Sequence, residues 1–268
     1  MLRQLQAMTS GNLRLILRDR ILHAVLGVAL VLLLLVPTLS GFSMRQVQEL
    51  AITLCLSAIS LVLLVLALLL GSSAIWRDIE RHYTSSILPL PVSRSSYILA
   101  KFASISLFLL LSGLVLFMTA ACVIPLAASQ YSSDLPIAWG IIALAIVADV
   151  LKSMLIAAVA LLLSSVSTSF FLPFFGTLAI FLAGSASQEV YEYLTGQFGR
   201  EISSMAYRLI QAVYFVLPNF SAFDFKVHAV YVLPIEAKDL FFPVGYATLY
   251  VCLLLGLAIW LFNRRQLP

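Results

Sequence analysis

Arg77, Glu80, Arg81 and Arg94 gather in one run, Trp76-Arg77-Asp78-Ile79-Glu80-Arg81-His82-Tyr83-Thr84 through Pro91-Val92-Ser93-Arg94, between two long apolar blocks. Guanidinium and carboxylate groups at that density make charge-assisted hydrogen bonds to a complementary surface, about twice as strong as neutral ones. Helical spacing puts Ile75, Ile79 and Tyr83 on one face, Arg77 and Arg81 on a second, and Glu80 and Thr84 on a third. The pattern predicts a short helix along a membrane surface, its charged side toward solvent. Pro89 and Pro91 stop it, because neither donates a backbone hydrogen bond and each restricts the residue before it. Ser93 or Ser95 then caps the following helix, whose first turns carry Arg94 and Lys101. A stiff element joined directly to two long helices moves both when it is pushed.

A second chemical feature lies inside an apolar block. Asp149 and Lys152 stand three apart, and a charge at mid-bilayer costs about 2.5–3.5 kcal/mol on insertion scales. Both must therefore face protein or a wet cavity, and their spacing lets them pair. They either line a substrate path or dimer seam, or form a self-satisfied pair tucked against a neighbouring helix.

Other chemistry has no motif behind it. His23, His82 and His228 fall at the start of a span and in two separate loops, so no two share a metal. There is no H-E-x-x-H, no G-x-S-x-G and no carboxylate cluster. No glycine is followed by lysine, which excludes a G-x-x-x-x-G-K-[ST] phosphate loop. Cys55, Cys122 and Cys252 all sit in apolar segments without metal or redox spacing and read as small buried hydrophobes.

The elements that position these residues follow from composition. Apolar residues make up 62% of 268 and charged residues 10%, with a mean hydropathy of +1.06, against about 25% charged in an ordinary soluble domain. The predicted fold is all-α and polytopic, since about 20 apolar residues at about 1.5 Å each cross a hydrocarbon core of roughly 30 Å. Six blocks qualify: Ile21–Ser40, Val47–Ser73, Phe102–Leu126, Ile137–Leu163, Phe170–Ala186 and Leu240–Phe262. The first has no A-x-A cleavage site and is expected to stay as a span rather than act as a signal peptide.

Lysine and arginine set the sidedness. Ten fall on the side of the termini and the Trp76–Arg94 loop and five on the other, with Lys152 inside a span. The positive-inside rule therefore predicts that both termini and that loop are cytoplasmic. The net charge of +4 is a matter of sidedness, because no basic face interleaved with aromatics suggests nucleic acid.

Residues 1–20 are expected to form an amphipathic interfacial helix. Leu13, Ile16 and Leu17 share one face, and Arg14, Arg18 and Arg20 are drawn to anionic headgroups. Residues 187–239 form a sizeable external element. Within it, Met205–Phe220 is read as an interfacial or re-entrant helix, since a seventh crossing would put Arg264 and Arg265 outside.

The loop resembles that of the permease subunits of type-2 ATP-binding-cassette exporters. Their segment between spans two and three reads E-R-x-x-G-T, a short apolar run, P-V-S-R, then a lysine early in span three. Glu80, Arg81, Thr84, Pro91, Val92, Ser93, Arg94 and Lys101 match, while Tyr83 stands where the family usually has glycine. Leu17-Arg18-Asp19-Arg20, Leu217-Pro218 and Phe262-Asn263-Arg264-Arg265 also fit.

The resemblance implies a cytoplasmic coupling loop at residues 74–100 whose coupling helix docks into a separate ATPase subunit through Arg77, Glu80, Arg81, Thr84, Pro91 and Arg94. It further implies a dimer of permease subunits in a bacterial cytoplasmic (inner) membrane, no cofactor in this chain, and ATP with Mg2+ bound by the partner. Two alternatives stay open. One is an integral-membrane enzyme or scaffold, and the other an ATP-driven mechanotransmitter acting on an envelope partner without transport.

Overall fold

The computed structural model of the chain describes residues 2–43, 46–80, 93–129, 135–195, 211, 214, 217–235 and 237–264, and no strand occurs among them. The helices are α1 (Leu2–Leu17), α2 (Arg20–Ser40), α3 (Val47–Glu80), α4 (Arg94–Ala128), α5 (Trp139–Val166), α6 (Phe171–Thr195), the short α7 (Lys226–Tyr231) and α8 (Ala237–Arg264), with a 3-10 turn at Ser221–Phe223. Six of them, α2 to α6 and α8, are long and apolar enough to cross a membrane, which makes this a multi-pass membrane protein.

α5 is the central helix. Of the residues in its apolar stretch 72% are buried, against 22% in each of α2, α6 and α8, and α3 packs against it more extensively than any other pair of elements does. Small residues allow that approach. A Cβ on Gly71 of α3 would stand 2.5 Å from Ala160 Cβ and 3.0 Å from Ala157 O of α5, and Ser164 Oγ donates to Ser72 O at 3.2 Å. On the other flank, a Cβ on Gly113 of α4 would meet Val150 Cγ2 at 2.6 Å. The exposed faces of α2, α6 and α8 carry Leu34, Phe175 and Leu249, side chains suited to lipid.

Two sequence expectations are corrected here. Apolar content ends the second span at Ser73, yet α3 continues unbroken to Glu80. Ser72, Ser73, Ala74 and Ile75 are buried there, Ile75 completely, so tertiary packing sustains the extra turns. The segment from Ile75 to Glu80 is thus the end of α3, not a separate surface helix, and Arg81, Thr84 and Pro91 lie outside the described residues. In α1, Met8, Leu13 and Ile16 pack against the core, but Leu17 is 44% exposed. The reason is that α1 lies along α4, and the contact stripe follows i, i+5 and i+8, which leaves Leu17 off it.

At the opposite face, the chain from Leu217 onward folds back over the bundle. Phe220, Phe223 and Phe225 are buried, and Pro218 O and the Phe220 ring lie so close to Gly184 of α6 that a Cβ there would clash. Asn219 N donates to Tyr246 Oη at 2.9 Å, and Ser221 Oγ donates to Ser185 O at 2.9 Å. α7 then packs against α3 and α5 and closes at Val232, whose φ of 52° is left-handed. Most of Met205–Phe220 lies outside the described residues.

Candidate functional site

The start of α2, the end of α3, the start of α4 and the end of α8 meet at one face of the bundle, where their charged residues form a connected cluster. It begins at the elbow between α1 and α2. Arg18 N bonds back to Leu15 O at 3.2 Å and Asp19 N to Ile16 O at 3.0 Å, ending α1. Asp19 is the N-cap of α2, its Oδ1 accepting Ile21 N at 3.0 Å and satisfying one of the free amides every helix start carries. The other oxygen, Oδ2, pairs with Arg77 of α3. One carboxylate thus fixes the first span and holds it to the second.

Asp78, beside Arg77, turns to α4. Its Oδ2 accepts from Tyr97 Oη at 2.6 Å and lies 2.7 Å from Lys101 Nζ. The two charged side chains are only 12% and 14% exposed, so the pair is little screened by water. Tyr97 and Lys101 stand four apart, on one face of α4, and Lys101 also lies over the Tyr97 ring, 5.7 Å from its centroid.

Tyr97 in turn stacks on Phe262 of α8, with centroids 5.7 Å apart and planes 16° apart. Arg94 Nη1 donates to Phe262 O at 3.3 Å and Asn263 O at 3.1 Å, placing a cation on the free carbonyls that end α8. Ser93 caps α4, accepting from Ser96 N at 3.2 Å. The cluster therefore links four spans through side chains from both ends of the α3–α4 connection.

A cleft of about 610 Å3 opens within this cluster, between the α1–α2 elbow, the last turns of α3 and the early turns of α4. Arg18, Arg20, Arg77 and Lys101 line it together with Asp19, Asp78 and Glu80, above an apolar floor that includes Leu70 and Ile105.

Of the residues singled out from the sequence, Arg77 and Arg94 are engaged within the chain as described, and Glu80 is exposed at the end of α3. Arg14, Arg18 and Arg20 are all exposed, but only Arg18 and Arg20 reach the cleft.

Asp149 and Lys152 form a separate cluster inside the bundle. Lys152 Nζ is 2.5 Å from Asp149 Oδ1, and Ser60 Oγ of α3 donates to the same oxygen at 3.1 Å. Lys152 Nζ also donates to Ser60 Oγ at 3.2 Å. The two charged residues are 2% and 7% exposed, and Asp149 Oδ2 is buried with no hydrogen-bond partner among the described residues. The pairing expected from their spacing is present, and Ser60 is an addition that the sequence did not reveal. Among the described residues, no group of three His, Cys, Asp or Glu side chains could hold a metal.

Sequence reasoning also passed over Asp19, Asp78 and Tyr97 as site residues. Asp19 had a legible signal, an aspartate directly before an apolar block being an N-cap pattern. Tyr97 and Lys101 had the i, i+4 spacing. Their shared acceptor Asp78 is reached only through the fold. No protein-family model matches the chain, and no curated protein matches it at a significant level.

Proposed function

We propose that this chain is the transmembrane permease subunit of an ATP-binding-cassette exporter, dimerising and driven by separate ATPase subunits that dock on the segment between α3 and α4. The observation that carries the reading is the clamp at the base of that segment. α3 has 34 residues and α4 has 35, so at about 1.5 Å per residue each is ~50 Å long and outreaches a hydrocarbon core of roughly 30 Å. Asp78 ties their ends together through Tyr97 and Lys101. A force on residues 81–92 therefore acts on both spans as one body.

Glu80, exposed at the last turn of α3, is a docking residue in this reading, with Arg81, Thr84 and Pro91 beyond it. ATP and Mg2+ belong to the partner, and the face bearing the termini is cytoplasmic, in agreement with the ten lysines and arginines on that side. The folded-back segment over the opposite face acts as an outer lid.

Co-purification from the native membrane tests the reading. The expected result is capture of an ATP-hydrolysing subunit, weakened about tenfold by Glu80→Ala, as loss of a charged hydrogen bond gives. Glu80 is a better probe than Arg94, whose replacement also frees the Phe262 and Asn263 carbonyls. Purification without any nucleotide-binding partner sinks the proposal and favours a membrane enzyme or scaffold. Where the ATPase is captured, ATP-driven uptake into inverted vesicles separates export from mechanical work on an envelope partner.

A further inference from the structure

We propose that the cleft between the α1–α2 elbow and the ends of α3 and α4 is a binding site for an anionic phospholipid of the surrounding bilayer. This inference is independent of the chain's coupling to an ATPase.

Charge in the cleft is the first ground. Arg77 and Lys101 are held by Asp19 and Asp78, whereas the exposed guanidinium groups of Arg18 and Arg20 line the same cleft and hold no ion pair among the described residues. Glu80 is the third acid of the lining. Two arginines flanking one residue at the elbow offer planar donors to a phosphate diester, the geometry in which arginine excels.

Apolar surface is the second ground, and it distinguishes a lipid from free phosphate. Leu15 and Ile21, which also line the cleft, are 64% and 56% exposed beside those arginines. Deeper in, Leu70 and Ile105 form the floor. A soluble anion leaves this surface in water, whereas an acyl chain covers it while its headgroup meets the arginines. Depth is the third ground. The cleft lies where α2 begins and α3 ends, at the level of headgroups for helices that span the hydrocarbon core.

Trp76 lines the cleft and serves as a reporter. With Trp139 and Trp260 replaced by phenylalanine, Trp76 is the one indole of the full chain. Reconstituted in vesicles, its fluorescence is titrated with brominated phosphatidylglycerol and with brominated phosphatidylcholine. The expected result is stronger quenching by the anionic lipid, with about five-fold preference for each arginine engaged. Arg18→Gln with Arg20→Gln should abolish the preference, and Arg14→Gln, outside the cleft, should leave it.

Equal quenching by the two lipids overturns the proposal. So does a preference that survives the double variant, which would mark diffuse attraction to the basic face, and so does relief of quenching by millimolar inorganic phosphate, which would mark a soluble-anion site. Native mass spectrometry of the otherwise unaltered chain gives a second reading free of the tryptophan replacements. Retention of phosphatidylglycerol over phosphatidylcholine, lost on Arg18→Gln with Arg20→Gln, supports the site, and no selective retention overturns it.

Discussion

Lys101 Nζ lies 2.7 Å from Asp78 Oδ2, and this contact fastens the last turn of α3 to the start of α4. Because the pair is largely withdrawn from water, removing one partner strands the other. Asp78→Leu should cost about 3 kcal/mol, Lys101→Met a similar amount, and the two together about 1 kcal/mol or less. Denaturation of the detergent-solubilised chain in a double-mutant cycle measures the coupling, and strict additivity would refute the clamp.

The mid-bundle pair follows the same logic with higher stakes. Lys152→Met leaves a buried carboxylate uncompensated beside Ser60 and should cost about 3–5 kcal/mol, whereas Asp149→Asn with Lys152→Met restores most of it. Ser60→Ala, which removes one hydrogen-bond partner, should cost about 1 kcal/mol. Melting temperatures and the yield of monodisperse protein report all three. A double variant that folds normally and yet loses the ATP-driven uptake proposed above would assign the pair to a working path.

Glycine positions separate packing from helix propensity. Gly71→Val drives atoms into Ala160 and Ala157 and should destabilise by about 1–3 kcal/mol. Gly256 of α8 has nothing within 4 Å of a built Cβ, so Gly256→Ala should stabilise by about 0.5–1 kcal/mol. Thermal melts of the two variants should move in opposite directions.

Arg94 is expected to act locally. Arg94→Gln withdraws a full positive charge from the last carbonyls of α8 and should cost about 1 kcal/mol. Amide hydrogen exchange at Phe262–Arg264 should then accelerate about five-fold, with little change in α5. Equal acceleration throughout the bundle would show that Arg94 supports the whole fold instead.

Six spans were legible in the sequence because about twenty apolar residues in a row have one economical solution in a bilayer. The Asp149–Lys152 pair was legible because its spacing is local. Where α3 ends was not: hydropathy falls at Ser72 and Ser73, yet Ser164 and Ala160 of α5 bury that stretch, and hydropathy carries no record of such long-range partners. The role of Leu17 failed for a related reason, since α1 rests on α4 and protein, not lipid alone, selects its contact stripe. Of the ionic cluster, the sequence supplied Arg77 and Arg94 but not their acceptors, because Asp19 and the end of α8 reach them only through tertiary folding.

The sheathing of α5 has a consequence for any permeation route. Asp149 and Lys152 are only 2% and 7% exposed inside the bundle, so a molecule travelling along the outer walls of the helices never meets them. To reach that carboxylate, α3 and α5 must first part around Ser60, which bonds to both charged side chains.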